Sequence, residues 1–90
     1  MAVLLSQNLI NLPVLTESGK EVGRIADFEI DAESQKISAY YVKPGRFLSG
    51  LFSGNLIIKP AQVIAISQEQ MTVEDNAVKE KIAAPAGQPA

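Results

Sequence analysis

Turn-forming residues recur about every ten positions along this chain, and they separate short apolar runs rich in β-branched and aromatic residues. The clearest turns are ESGKE at 17–21, AESQK at 32–36 and QEQ at 68–70. This spacing has room for short strands but for no long helix, and it is typical of small sandwiches and barrels. The sequence therefore predicts an all-β domain.

The turns divide the chain into six predicted strands. They are Leu9–Leu15, Val22–Asp31, Ile37–Lys43, Asn55–Lys59, Val63–Ser67 and Met71–Glu74. Pro13 predicts an edge position or a bulge for the first strand, because proline donates no ladder hydrogen bond. Gly19 is expected to take a positive φ in the first hairpin turn. Pro60 is expected to end the fourth strand and to begin a single helical turn.

The length of 90 residues allows one small domain. We expect a β domain at 1–75, then a short helix over Asn76–Ala83 and a disordered tail, together 76–90. A closed or nearly closed barrel would hide the edges that a small open sheet exposes. The predicted fold is a small, highly bent β-barrel of about six short strands.

Three acids, Asp27, Glu29 and Asp31, lie at alternate positions and would share one face of the second strand. Their spacing does not match a calcium loop, and acids along a straight strand diverge instead of converging on an ion. We therefore predict a solvated strand face with Asp31 at the entry to a turn, and no metal site.

The acids of this strand need not be equivalent. Ile25 has the same parity as the acids, whereas Phe28 and Ile30 have the opposite parity and are expected to face the core. Burying all three requires a bulge near Ala26–Asp27. Asp27 could then accept backbone N–H groups at that bulge. We predict a structural role for it and expect Asp27→Ala to destabilise more than Glu29→Ala.

The composition argues against catalysis. The chain has no cysteine and no histidine, so disulfides, thiolate metal sites and the commonest general base are missing. The pair Gly19 and Gly23 does not form a phosphate-binding loop, because no helix follows it. We predict a protein that is not an enzyme, with no catalytic, cofactor-binding or metal-binding residues.

Charge is unevenly distributed along the chain. Residues 34–68 contain Lys36, Lys43, Arg46 and Lys59 and no acid, whereas residues 1–33 carry six acids and two bases. This asymmetry could steer a partner or favour self-contact, although solubilising charge is the simpler interpretation. No run approaches the roughly 20 apolar residues of a membrane helix, and no secretory signal is recognisable, so we expect a cytoplasmic protein.

The segment PGRFLSGLFSG, residues 44–54, is a candidate interaction loop. Its large side chains either cap the open end of the barrel or dock on a partner or a second copy. The residues assigned to this candidate are Arg46, Phe47, Leu48, Leu51 and Phe52.

The whole pattern resembles the PRC-barrel family. The run GKEVGRIADFEID carries the family's motif, a glycine turn followed by V-G-x-h-x-D-h-x-h-D, in which h is an apolar residue. The motif includes Gly19, Gly23, Asp27 and Asp31. The runs KISAYYVKPG, FLSGLFSGNLIIKPAQVIAIS with Pro60, and MTVED follow in the expected order. The resemblance implies a compact barrel of about six strands without shared catalytic residues, and relatives that act by binding proteins.

The leading functional hypothesis is a non-catalytic protein-interaction or adaptor domain. We expect it to form a homodimer, and the identity of any other protein partner is unknown. One alternative is an RNA-processing or ribosome-assembly accessory that uses the acid-free stretch 34–68. A second alternative is a barrel that binds a small ligand at its mouth, near Tyr40 or Tyr41. A barrel interior filled by side chains would argue against the second alternative.

Overall fold

The computed structural model describes residues 3–46 and 54–77 and contains one six-stranded sheet. A short helix, α1 (Ser6–Leu9), precedes the strands. The strands are β1 (Pro13–Thr16), β2 (Glu21–Asp31), β3 (Lys36–Pro44), β4 (Leu56–Ile58), β5 (Val63–Ile66) and β6 (Met71–Val73). A single 3-10 turn, Pro60–Gln62, joins β4 to β5, as the proline predicted.

The strands lie in the order β4-β3-β2-β1-β6-β5. The pairs β1–β2, β2–β3, β3–β4 and β5–β6 are antiparallel. Strand β1 also pairs in parallel with β6, so that Val14 lies beside Met71. This parallel pair joins the first strand to the last and folds the sheet on itself. Among the described residues β4 and β5 are not paired, so the sheet is strongly bent but not closed. The predicted all-β, barrel-like fold is confirmed.

The first predicted strand is wrong over its first half. Leu9 ends α1, and β1 begins only at Pro13. The Asn8 side chain accepts the Leu5 N–H at 2.9 Å, and Asn11 takes a positive φ of 72°, so polar residues turn the chain before β1. Because β1 lies between β2 and β6, Pro13 is not on an edge strand. It begins β1, and the register with β2 shifts directly afterwards, between Val14 and Leu15, so the predicted bulge is the alternative that the structure supports.

The core lies on the concave side of the bent sheet and is aliphatic. Its fully buried side chains come from all four central strands and from β4: Val14, Val22, Ile25, Val42, Ile58, Met71 and Val73. Phe28, Ile37, Val63 and Ile66 pack against this cluster from its periphery. The described part of the barrel interior is therefore filled by side chains, as expected for a small barrel.

Two bulges interrupt the pairing of β2 with β3, the first with Ala26 as the extra residue on β2 and the second with Ser38 as the extra residue on β3. The register with β3 shifts between Ile25 and Asp27, and again between Glu29 and Ile30. The first shift confirms the predicted bulge at Ala26–Asp27, and it leaves Ile25 fully buried and Phe28 partly buried. The second shift was not predicted. Ile30 lies opposite Ile37 near the end of the hairpin, and 53% of its surface is exposed, so the expectation that Ile30 is buried in the core is wrong.

The chain becomes helical again at residues 75–77. There the Asp75 carboxylate accepts hydrogen bonds from the backbone N–H and the hydroxyl of Ser18, at 3.2 and 3.1 Å. This contact ties the end of the described chain to the first hairpin turn. The remainder of the predicted helix and the predicted tail lie outside the described residues, so the division at residue 75 stays a prediction.

Candidate interaction surface

A row of three side chains crosses the convex face of β2, β3 and β4. In the antiparallel registers Asp27 lies opposite Tyr41, and Tyr41 lies opposite Ile57. Directly opposed residues share one face of a sheet, so all three point away from the core. Tyr41 is partly buried and Ile57 is 44% exposed, which places an aromatic and an aliphatic side chain side by side in contact with solvent.

A second row on the same face is basic. Lys43 lies two residues after Tyr41 and opposite Arg24. Two like charges opposed across neighbouring strands destabilise the sheet. Arg24 donates one hydrogen bond to the Asn11 carbonyl at 2.9 Å, and within the described part of the chain neither base is paired with an acid.

Glu29 anchors the opposite end of this face. Its two carboxylate oxygens accept hydrogen bonds from the Ser38 and Tyr41 hydroxyls, each at 2.6 Å. The Ser38 and Tyr41 hydrogen bonds, aided by the positive charge of Lys59, lower the pKa of Glu29 below its ordinary value. The Glu29 hydrogen bond, burial and the negative charges of Glu29 and Asp27 raise the pKa of Tyr41. The hydrogen bond to Glu29 orients the Tyr41 ring on this face.

We call this surface the Tyr41 face and define it by Arg24, Asp27, Glu29, Tyr41, Lys43 and Ile57. It has an aromatic–aliphatic centre and a basic end, and at the other end the carboxylate of Glu29 lies near the positive charge of Lys59. Tyrosine and arginine are enriched among the residues that dominate binding energy at protein interfaces, usually inside a polar rim. The arrangement fits protein recognition better than catalysis.

The residues predicted to have structural roles take ordered positions. Gly19 has φ 91° in the first hairpin turn, as expected, and Pro60 begins the 3-10 turn. Asp31 accepts hydrogen bonds from the backbone N–H groups of Glu33 and Ser34 at 2.9 and 3.3 Å, which fits the predicted turn entry. Gly23 is buried on β2, and a Cβ added at this position would overlap the Lys43 carbonyl oxygen and lie 2.9 Å from the Gly45 nitrogen.

At the first bulge the Asp27 carboxylate accepts the Phe28 N–H at 2.8 Å. This contact fits the structural role predicted for Asp27, which stays a prediction. The ranking of Asp27→Ala above Glu29→Ala also stays untested, and the two side-chain hydrogen bonds of Glu29 argue against it.

The predicted interaction loop lies almost entirely outside the described residues. Phe47, Leu48, Leu51 and Phe52 fall in the gap 47–53, so their assignment stays a prediction. Arg46 is described and lies exposed in the turn after β3.

The described residues offer little to a metal ion or to a ligand inside the barrel. Across 3–46 and 54–77 no three acidic side chains are grouped to hold a metal. Tyr40 is buried in the core, and the Tyr41 hydroxyl is bonded to Glu29 outside it. An open, polar depression of ≈ 450 Å³ lies elsewhere, bordered by Glu17, Ile64, Glu74, Asp75 and Asn76.

Sequence reasoning missed the Tyr41 face because the face depends on strand register. The sequence showed Tyr41 and Lys43 at alternate positions, which already places them on one side of β3. Their partners on β2 could not be assigned, since each bulge changes the pairing by one residue. The Ile57–Tyr41 pair likewise depends on the register of β4 after the long loop.

Acidification should destabilise the protein partly through Glu29. A carboxylate whose pKa is lowered by folding stabilises the native state above its unfolded pKa, and this stabilisation is lost as the pH falls through the folded pKa. We expect the melting temperature to fall as the pH drops below the ordinary glutamate value of 4.5, and to fall less in Glu29→Gln. Melting curves at pH 7, 5, 4 and 3 measure the difference.

Glu69→Gln is the matched control, because the Glu69 carboxylate accepts no hydrogen bond from another of the described residues. It should keep the wild-type dependence on pH. Identical profiles for Glu29→Gln and Glu69→Gln would show that the Glu29 hydrogen bonds add nothing to stability.

A comparison with protein families agrees with this fold. The family model described as PRC-barrel domain matches residues 1–79. No curated protein matches the chain.

Proposed function

Because this chain belongs to the PRC-barrel family, we propose that it is a non-catalytic protein-interaction module whose docking surface is the Tyr41 face. The observation that carries the proposal is the pair of the partly buried Tyr41 and the exposed Ile57 between charged side chains. Burial of such a pair against a partner would remove apolar area from water, while the rim charges would select the partner.

The rim supports binding in a second way. The opposed bases Arg24 and Lys43 repel each other in the isolated domain and have no acidic partner among the described residues. Carboxylates on a docking protein would relieve that repulsion. A surface whose local electrostatics improve on association is typical of a recognition site.

The RNA-binding alternative loses its main support in the folded chain. The bases of the stretch 34–68 form an acid-free block in the sequence, but folding places two of the four beside acids. Lys36 lies opposite Asp31 across the β2–β3 hairpin, and the charge of Lys59 acts on Glu29. Lys43 lies opposite Arg24, which gives a short basic row and not the continuous basic stripe that favours binding to nucleic acid.

An adaptor role in the cytoplasm is part of the same proposal. None of the helices in the described part of the chain is long and apolar enough to span a membrane. The absence of histidine and cysteine supports a non-catalytic role.

Site-specific photo-crosslinking in cells tests the docking surface. A crosslinking amino acid at position 57 should form protein adducts identifiable by mass spectrometry, because this position lies at the centre of the Tyr41 face. Position 64 is the control, since Ile64 is similarly exposed (48%) but lies on β5 at the other end of the sheet order. Equal adduct formation at both positions, or none at position 57, would contradict the assignment of this face.

A further inference from the structure

We infer that the second half of β2, residues 27–31, binds an extended segment of another protein that alternates basic and apolar residues. The segment would pair with the free side of β2 and add a strand to the sheet. We call this binding site the β2 edge. It borders the Tyr41 face but takes a different class of ligand, so the inference goes beyond the proposed function.

Strand β2 extends past its neighbour β1, and its second half has no partner strand on that side. The last backbone hydrogen bonds from the β1 side reach Ile25, which accepts the Asn11 N–H and donates to the Leu12 carbonyl. Strand β2 continues to Asp31, and beyond Ile25 it pairs only with β3. Within the described residues, 27–31 therefore form an open sheet edge, although β2 is an inner strand over its first half.

Phe28 and Ile30 carry the backbone groups of this edge. The Phe28 N–H donates to the Asp27 carboxylate at 2.8 Å, in a hydrogen bond exposed to solvent, so a side chain satisfies it and not a neighbouring strand. Backbone groups of alternate residues point to the same side of a strand, so those of Ile30 point the same way. Apart from the pairing of β2 with β3, Ile30 makes no backbone hydrogen bond with another described residue. Such a row of open groups is a template for a further strand.

The two faces of the β2 edge have different chemistry. Asp27, Glu29 and Asp31 lie at alternate positions on one face, whereas the partly buried Phe28 and the 53% exposed Ile30 lie on the other. The second bulge has its extra residue on β3, so this alternation is unbroken along β2. A strand that pairs here is favoured when its bases lie beside the acids and its apolar residues lie beside Phe28 and Ile30.

The bases that offset part of this acidic row lie on the far side of it. Lys36 is on β3, opposite Asp31, and Lys59 follows β4, which lies beyond β3 in the sheet. An added strand is therefore closer to the acids than to these bases. A second copy is a poor occupant, because two β2 edges paired antiparallel would set acids beside acids.

NMR titration of the isotope-labelled full chain with the synthetic peptide KVKVKVK tests the charge pattern. We expect the amide signals of Phe28 and Ile30 to shift and their hydrogen exchange to slow. The peptide EVEVEVE, matched in length and alternation, should bind about tenfold more weakly or less. Asp27→Asn keeps an acceptor for the Phe28 N–H but removes a charge, and should weaken binding of KVKVKVK about threefold. Glu69→Gln, in the turn between β5 and β6, is the matched control and should leave binding unchanged.

Removal of backbone donors tests strand addition itself. Ile30→Pro removes an N–H that faces the open edge, where proline is tolerated, and should weaken binding about twentyfold or more. Ile30→Ala keeps the N–H and should weaken binding by about fivefold at most. Two further peptides, N-methylated at every lysine or at every valine, repeat the test without altering the protein. Only one of them should lose binding, because only alternate N–H groups of an added strand face β2.

Several outcomes overturn the inference. Absence of binding at millimolar peptide excludes the site, and equal binding of KVKVKVK and EVEVEVE excludes selection by charge. Binding that persists in Ile30→Pro and with both methylated peptides excludes strand addition. Self-association of the wild type through residues 28 and 30 would make a second copy the occupant.

The same titration separates this inference from the proposed function. Signal shifts confined to Tyr41 and Ile57 would place the peptide on the Tyr41 face and overturn the assignment of the β2 edge. Crosslinking at position 57 tests the Tyr41 face without the peptide, so either surface can fail while the other stands.

Discussion

Gly23→Ala is expected to lower the free energy of unfolding by about 3 kcal/mol or more, enough to unfold a large fraction of a domain this small. A Cβ at position 23 would overlap the Lys43 carbonyl oxygen and would come within 2.9 Å of the Gly45 nitrogen. Both atoms belong to the backbone, so no change of side-chain rotamer relieves the overlap. Relief requires β2 and β3 to separate where they pair.

The close approach at Gly23 is part of the barrel itself. Next to it the Gly45 N–H donates to the Val22 carbonyl at 2.8 Å, which holds the end of β3 against the start of β2. Separating these strands would strain that hydrogen bond and disturb the fully buried Val22 side chain. The cost therefore combines steric overlap with lost packing.

Chemical denaturation of wild type, Gly23→Ala and Gly45→Ala measures this effect. Gly45→Ala is the matched control, because its new methyl group would meet mainly the flexible Glu21 side chain, at 3.4 Å. We expect the control to change stability by less than about 1 kcal/mol. Equal stabilities for the two variants would show that the backbone contact at Gly23 imposes no steric constraint.

The strand pattern could be predicted from the sequence because it is a local property. Turn residues and β-branched runs define β2 to β6 within a few residues, and the proline at 60 sets the corner between β4 and β5. The bulge at Ala26–Asp27 could also be predicted, since the parity of Ile25 conflicts with that of Phe28. Each of these features depends only on neighbours along the chain.

The remaining features depend on contacts between distant segments. The parallel pairing of β1 with β6 joins residues nearly 60 positions apart and leaves no signal in local spacing. Pro13 illustrates the difference, because its chemistry permits either an edge strand or a bulge in an inner strand, and the pairing of β1 with β6 excludes the edge. The Tyr41 face has the same origin, since three strands and two bulges decide which side chains share it.

The exposure of Ile30 differs from the prediction, and a substitution can test it. Ile25→Ala is expected to lower the free energy of unfolding by about 2–5 kcal/mol, because it opens a cavity among fully buried aliphatic side chains. Ile30→Ala makes the same chemical change on the same strand, where 53% of the side chain is exposed. It should cost less than about 1 kcal/mol.

Urea denaturation of both variants compares the two sites directly. The slope of the unfolding free energy against urea concentration checks that both variants expose the same surface on unfolding. The backbone of Ile25 is anchored, since its N–H donates to the Leu12 carbonyl at 3.0 Å and its carbonyl accepts the Asn11 N–H at 2.7 Å. The strand therefore cannot shift easily to fill the cavity, which keeps the expected cost high. A large loss of unfolding free energy in Ile30→Ala would show that Ile30 is packed in the core. A small loss of unfolding free energy in Ile25→Ala would show that the first bulge does not determine the fold.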